Sequence, residues 1–127
     1  MKFQNILHVD DDTDDCEMFL LALRKVSDKV GYTAIHEPLS AVIQLEKKAI
    51  TPDVILLDFN MPLMNGIQFL QHIKKNIDLK DIPIIMFSTS SVEELKHRTK
   101  DMGAHDYITK PIDFNELVAI CNKFLLD

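Results

Sequence analysis

The chain has 127 residues, 46% hydrophobic and 27% charged, which fits one compact globular domain and leaves little room for a second. Its net charge of −6 argues against direct nucleic-acid binding. No apolar run approaches the roughly 20 residues that a membrane span needs, and the N-terminus carries no signal-peptide core before polar residues return.

Taken in order, Phe3 to Val9 is a short apolar first strand ending in Asp10-Asp11-Asp12. From Thr13 to Val26 the apolar spacing becomes helical, with Cys16, Phe19, Leu20 and Leu23 on one stripe. Asp12 or Thr13 can cap this helix, and Asp14, Asp15 and Glu17 suit the positive end of its dipole. Tyr32 to His36 is a weaker second strand, expected near a sheet edge. A second helix runs from Leu39 to Ala49, bounded by Pro38 and Pro52. Val54 to Leu57 is wholly apolar, as in a strand buried on both faces, and stops at Asp58. Pro62 and Asn65-Gly66 turn the next loop sharply before a third helix, Gly66 to Asn76. Pro83 opens a fourth strand, Ile84 to Phe87, which ends at Ser88-Thr89-Ser90-Ser91, where Ser90 or Ser91 is placed to cap a polar helix over Val92 to Met102. Gly103 suits the end of that helix. Asp106 to Thr109 is a short fifth strand, followed by Lys110-Pro111 and a last helix from about Asp113 to Leu126.

Strand and helix thus alternate five times. The alternation predicts an α/β fold with a five-stranded, doubly wound parallel sheet, helices on both faces and right-handed crossovers. In such a sheet the carboxyl ends of the strands share one rim, where ligands bind. That rim collects Asp10, Asp11 and Asp12 from the first strand, Asp58 from the third, Ser88 and Thr89 from the fourth, and Thr109 and Lys110 from the fifth. Crowded carboxylates repel, and a hard divalent cation such as Mg²⁺, which prefers oxygen ligands, relieves the repulsion. A carboxylate nucleophile flanked by a cation, a hydroxyl and an ammonium can accept a phosphoryl group.

The bland readings are weaker only where the residues act together. Asp12, Asp14 and Asp15 read as helix-terminal charges. An EF-hand is excluded because loop positions six and twelve hold Asp15 and Leu21 instead of Gly and Glu. His8 reads as a packed strand residue, and the other four histidines show no metal-ligand spacing. Cys16 and Cys121 read as buried free thiols in apolar stripes, which favours a reducing, cytoplasmic setting.

Val9-Asp10-Asp11, Leu56 to Pro62 with Gly66, Ser88, and Tyr107-Ile108-Thr109-Lys110-Pro111 together resemble the receiver domain of two-component response regulators. The likeness covers essentially residues 1–127, as in the single-domain, CheY-like members with no output domain. It implies a flavodoxin-like fold with strand order 2-1-3-4-5. It further implies that Asp58 accepts a phosphoryl group, and that Mg²⁺ is held by Asp11, Asp58 and the Asn60 backbone carbonyl, with Asp10 acting through water. Ser88 takes the hydroxyl switch position, Lys110 the lysine position and Tyr107 the aromatic switch position, and the Lys110–Pro111 bond is expected to be cis. Thr89 departs from the small residue usual there, which bears on access by small phosphodonors. The implied partners are a sensor histidine kinase or histidine phosphotransfer protein and a downstream protein reading the fourth helix, fifth strand and fifth helix. The chain would be a monomer or a weak phosphorylation-dependent dimer, without nucleic-acid or membrane contact. It would be no enzyme beyond its own phosphorylation and dephosphorylation.

Other classes fit less well. A haloacid-dehalogenase-type phosphatase needs an acid–base Asp where Asn60 stands, and a flavodoxin needs a hydroxyl-rich loop where three aspartates stand. A phosphorylation-independent pseudo-receiver is the alternative, but it would be expected to lack one of the acidic, hydroxyl or lysine positions.

Overall fold

The computed structural model describes residues 2–90 and 92–126. Five strands and five helices alternate: β1 (Asn5–Val9), α1 (Thr13–Val26), β2 (Gly31–Ile35), α2 (Pro38–Glu46), β3 (Val54–Leu57), α3 (Gly66–Lys75), β4 (Ile84–Ser88), α4 (Glu93–Asp101), β5 (Asp106–Thr109) and α5 (Phe114–Leu126). All strand pairs are parallel, in the order β2-β1-β3-β4-β5. The flavodoxin-like fold expected from the sequence is therefore the one formed, with β3 at the centre and β2 at an edge.

Because β1, β3 and β4 are covered on both sides, their alternate residues feed two separate cores. Leu7, Val9, Ile55, Leu57, Ile84 and Met86 face α2 and α3, meeting Val42, Leu45, Phe69, Leu70 and Ile73. Ile6, Val54, Leu56, Ile85 and Phe87 face α1 and α5, meeting Phe19, Leu23, Leu117, Cys121 and Leu125. Both cysteines are buried free thiols whose pKa burial pushes up to about 12.

Several boundaries differ from the sequence reading for identifiable reasons. The first strand starts at Asn5, because the Asp53 carboxylate accepts hydrogen bonds from the Gln4 and Asn5 backbone N–H groups before the ladder begins. Pro38 is the first residue inside α2, where a missing N–H costs nothing. That helix stops at Glu46, and Lys48 (φ 58°) reverses the chain in the left-handed region. The cap expected from Ser90 does not form. Val92 is the extended residue before α4, and the Ser90 hydroxyl only accepts a long 3.5 Å bond from the Val92 N–H. Ser91 lies outside the described residues. Gly103 ends α4 as anticipated, at φ +103°.

The loop after β3 is held at both ends. Asn65 and Gln68 form a reciprocal capping box at the start of α3. Gly66 donates to the Phe59 carbonyl at 2.8 Å, which seats α3 directly against the strand end. A Cβ at Gly66 would lie 2.7 Å from the Asp58 carbonyl oxygen and 2.9 Å from Phe59 Cα, both backbone atoms that cannot swing aside. Gly66→Ala is expected to destabilise the fold by about 1–3 kcal/mol, the usual cost of overpacking. A chemical-denaturation midpoint equal to wild type would show that the loop moves freely instead.

Candidate functional site

Backbone ladders carry the polar residues to the rim. The Asp10 N–H donates to the Ile35 carbonyl (3.2 Å), the Asp58 N–H to Val9 (3.0 Å) and the Lys110 N–H to Ser88 (2.8 Å). Each residue is thereby fixed to the neighbouring strand one step past the end of its own strand. The structure brings Asp10, Asp11, Asp58, Ser88 and Lys110 to this one edge, with Asp10 and Ser88 fully buried, Asp58 nearly so and Asp11 exposed. Asn60 and Thr89 are exposed on the loops above.

Carboxylate oxygens of Asp10, Asp11 and Asp58 lie within 4.8 Å of one another. Across them reaches the Lys110 ammonium, 2.8 Å from Asp10 Oδ2, 2.7 Å from Asp15 Oδ2 and 3.5 Å from Asp58 Oδ1. The side chain that carries this charge is only 10% exposed. The lysine is thus bound to Asp10 and Asp15 more closely than to Asp58.

The two buried carboxyls separate electrostatically. Burial raises Asp58, and the neighbouring charges of Asp10 and Asp11 push the same way. The Lys110 ammonium only partly opposes them, and Asp58 titrates near about 6. Burial would raise Asp10 too, but the His8 ring, the Lys110 ammonium and the Asp12 N–H outweigh it and hold Asp10 at about 2. Lys110 itself is raised: burial opposes its charge, but hydrogen bonds to Asp10 and Asp15 and the charges of Asp10 and Asp58 prevail. The site accordingly holds an ionised Asp10 paired with a lysine beside a strained, half-compensated Asp58. An all-oxygen donor set with an uncompensated carboxylate is the chemistry that suits a hard divalent cation.

Two contributors escaped the sequence reading. Asp15, taken as a helix-terminal charge, forms the shortest contact with Lys110. Its signal was helical phase, since Asp15, Phe19 and Ala22 share one stripe whose later members are fully buried. His8, taken as a packed residue, is packed against Phe19, Tyr32 and Phe87, but it also joins the polar network. Its Nδ1 lies 2.7 Å from the Tyr32 hydroxyl, and its buried Nε2 lies 3.5 Å from Asp10 Oδ2 with no hydrogen-bond partner. Burial lowers its pKa against the pull of Asp10, so the ring is neutral near pH 7.

Asp12 caps α1 as expected, accepting from the Asp14 and Asp15 N–H groups. Ser88 accepts a 3.3 Å bond from the Ser90 N–H, and the Tyr107 hydroxyl donates to the Ser90 carbonyl at 2.6 Å. Both expected switch residues therefore touch the β4–α4 loop. The expected cis bond at Lys110–Pro111 is not found, and no described peptide bond is cis. Trans is the lower-energy isomer even before proline, and Lys110 reaches its three carboxylates with the bond trans.

Comparison with known proteins gives one family. Residues 6–122 match the response regulator receiver domain. The phosphate regulon transcriptional regulatory protein PhoB of Pseudomonas aeruginosa is 38% identical over 94% of this chain and 50% of its own length. PhoB of Escherichia coli is 46% identical over 63% of this chain and 34% of its own. Protein PilH of Pseudomonas aeruginosa is 39% identical over 58% and 61%, respectively. The chain thus spans between a third and six tenths of the length of these three curated relatives. Among solved structures, the phosphorylated cyanobacterial phytochrome response regulator RcpA superposes with a TM-score of 0.87 at 28% identity, covering 95% of this chain and 90% of that one. The Mn(2+)-bound response regulator Rcp1 gives 0.84 at 26%, covering 95% and 91%.

The raised Asp58 has a measurable consequence. Between about 4, where the unfolded carboxyl titrates, and about 6, the unfolded chain releases this proton while the folded protein keeps it. Stability therefore falls as pH rises through that window, and the cost is fully present above it. In metal-free buffer at pH 7.5, Asp58→Asn is expected to gain about 1–3 kcal/mol in unfolding free energy. The gain should vanish at pH 4, and a gain independent of pH would assign it to packing instead.

Proposed function

This chain belongs to the response regulator receiver domain family, and from that premise we propose that Asp58 is the phosphoacceptor of a two-component phosphorelay. The observation that carries the reading is the asymmetry of the two buried carboxyls: Asp10 is paired with Lys110 at 2.8 Å, while Asp58, slightly less buried, has the ammonium only at 3.5 Å and its charge half compensated.

In the forward step an Asp58 carboxylate oxygen attacks the phosphorus of a phosphohistidine on a histidine kinase or phosphotransfer protein. The P–O bond forms as the P–N bond breaks, and the electron pair returns to the imidazole nitrogen. Asp58 needs no general base, because it is ionised above about 6. Lys110 lies 3.5 Å from Asp58 and offers its positive charge to the incoming oxygens. The Ser88 hydroxyl, freed from its long contact with the Ser90 N–H, can donate to a phosphoryl oxygen. Hydrolysis reverses the outcome: water adds to phosphorus, the bond to Asp58 breaks, and carboxylate and inorganic phosphate separate.

Asp11, Asp58 and the Asn60 backbone carbonyl would hold Mg²⁺, with Asp10 in support, and the ion would supply charge neutralisation as three negative groups converge. Phosphorylation adds charge and acceptor oxygens at Asp58. Drawing Ser88 toward them would loosen the loop that Tyr107 now holds by its hydroxyl, and Tyr107 would turn inward. The face of α4, β5 and α5 then changes and is read by a downstream protein.

Intact mass after incubation with acetyl phosphate or phosphoramidate and Mg²⁺ tests the acceptor. One phosphoryl group is expected to be gained, to be labile to hydroxylamine and to be absent in Asp58→Asn. A gain that survives in Asp58→Asn, or no transfer from either small donors or a histidine kinase, would overturn the assignment. Mg²⁺ at a hundredfold excess over its Kd should stabilise the fold by about 2.7 kcal/mol. Asp11→Ala should lose that increment, and a full Mg²⁺ shift in this variant would refute the metal set.

A further inference from the structure

We infer that Asp15 is a positioning residue for Lys110: it holds the ammonium back from Asp58 until a phosphoryl group arrives, and it is the contact that yields. This deepens the phosphoacceptor reading and rests on it. The geometry ranks the three carboxylates. Lys110 Nζ is 2.7 Å from Asp15 and 2.8 Å from Asp10 but 3.5 Å from Asp58. A phosphoryl oxygen on Asp58 pulls the ammonium away from its present place between Asp10 and Asp15, and that displacement lengthens one of the two short contacts.

Asp10 cannot be the one released. Its side chain is fully buried, and a buried carboxylate that loses its cation is left with an uncompensated charge. Its other oxygen is also committed, accepting from the Asp12 N–H at 2.9 Å. Asp15 differs on both counts. Its side chain is 38% exposed, so water can replace the ammonium. Among the described hydrogen bonds, its carboxylate accepts only from Lys110.

Its place in the chain makes it a catch. Asp15 lies in the first turn of α1, where the Asp12 carboxylate accepts from its backbone N–H and fixes that turn. The side chain therefore projects from a rigid base. Lys110 belongs to the β5–α5 connection, so the pair ties α1 to that connection across the rim. Phosphorylation that draws Lys110 away unties them, and the energy needed to break the Asp15 contact is subtracted from phosphoryl binding. Removing the catch makes the phosphorylated state easier to reach.

The test uses beryllofluoride, a phosphoryl mimic that binds an aspartate carboxylate noncovalently, with Mg²⁺ and ¹⁹F NMR as the readout. Asp15→Asn is expected to bind beryllofluoride 3- to 10-fold tighter than wild type, and to keep most of that gain in 0.5 M KCl, because the two charges stand only 2.7 Å apart, closer than the screening length, and Lys110 is itself only 10% exposed. Asp14→Asn, which removes an equal charge from the same exposed turn, should leave the affinity unchanged. An Asp15→Asn affinity equal to or weaker than wild type would overturn the catch. So would a gain that disappears in high salt, or one that Asp14→Asn matches, since either would make the effect one of net charge. A crystal structure of the wild-type beryllofluoride complex should show Lys110 on fluoride and more than 4 Å from Asp15; retention of the 2.7 Å pair would also refute it. Failure of both wild type and variant to bind would instead sink the phosphoacceptor reading itself.

Discussion

The Asp10–Lys110 ion pair is the interaction on which the rim depends. It joins residues one hundred positions apart, with Asp10 fully buried and Lys110 nearly so. A pair of this kind need not stabilise a fold more than well-packed apolar residues would, but removing either partner is severe because the other is left as a lone buried charge. Here the pair does more than cancel itself. Burial and the Asp10 charge lift Asp58 to about 6, and because Asp10 and Asp15 hold the ammonium closely, Lys110 offsets that rise only in part. Two carboxyls on adjacent strands thus acquire different chemistry from their surroundings alone.

The sheet makes this arrangement rigid. Asp10, Asp58 and Lys110 each donate a backbone N–H to the neighbouring strand, the first two immediately past fully buried residues. The side chains therefore start from fixed Cα positions, and little freedom is left in the approach of the charges. Above them the loops are looser in character. Leu63, almost wholly exposed, takes a left-handed conformation (φ 69°) in the loop after β3. A branched side chain there is strained by roughly 1–2 kcal/mol. Among its described residues the β4–α4 loop gives its helix no side-chain cap, and the loop is held by the Tyr107 hydroxyl and the Ser88 oxygen. The frame is strong where charges must be positioned and more lightly tied between β4 and α4.

Behind the rim a second polar layer supports Asp10. The neutral His8 ring stands between the Asp10 carboxylate and the Tyr32 hydroxyl, among the aromatic rings of Phe19, Tyr32 and Phe87. The His36 ring nitrogen lies 3.0 Å from the Asp10 carbonyl oxygen on the edge-strand side. Asp10 is thereby contacted by His8, Lys110 and the Asp12 N–H through its carboxylate and by His36 through its carbonyl, and the low dielectric around it strengthens each of these contacts.

The sequence alone determined the order of the elements, the parallel sheet and the membership of the rim. Each rests on local information: apolar runs of strand length, helical stripes, proline and glycine punctuation, and polar residues at the ends of buried strands. Val54 to Leu57 shows why, since four apolar residues followed by a carboxylate permit few other placements. What sequence could not decide was the partnering of charges across the rim. Lys110 is equally plausible opposite any of several aspartates, and only its reach across the folded sheet selects Asp15 and Asp10 over Asp58. The same holds for His8 beside Asp10, for the cap that Ser90 does not give α4 and for the trans bond at Pro111, a departure from the family-based expectation. These features depend on ångström-scale distances between segments remote in the chain, and such distances exist only once both cores have closed and fixed the strands relative to one another.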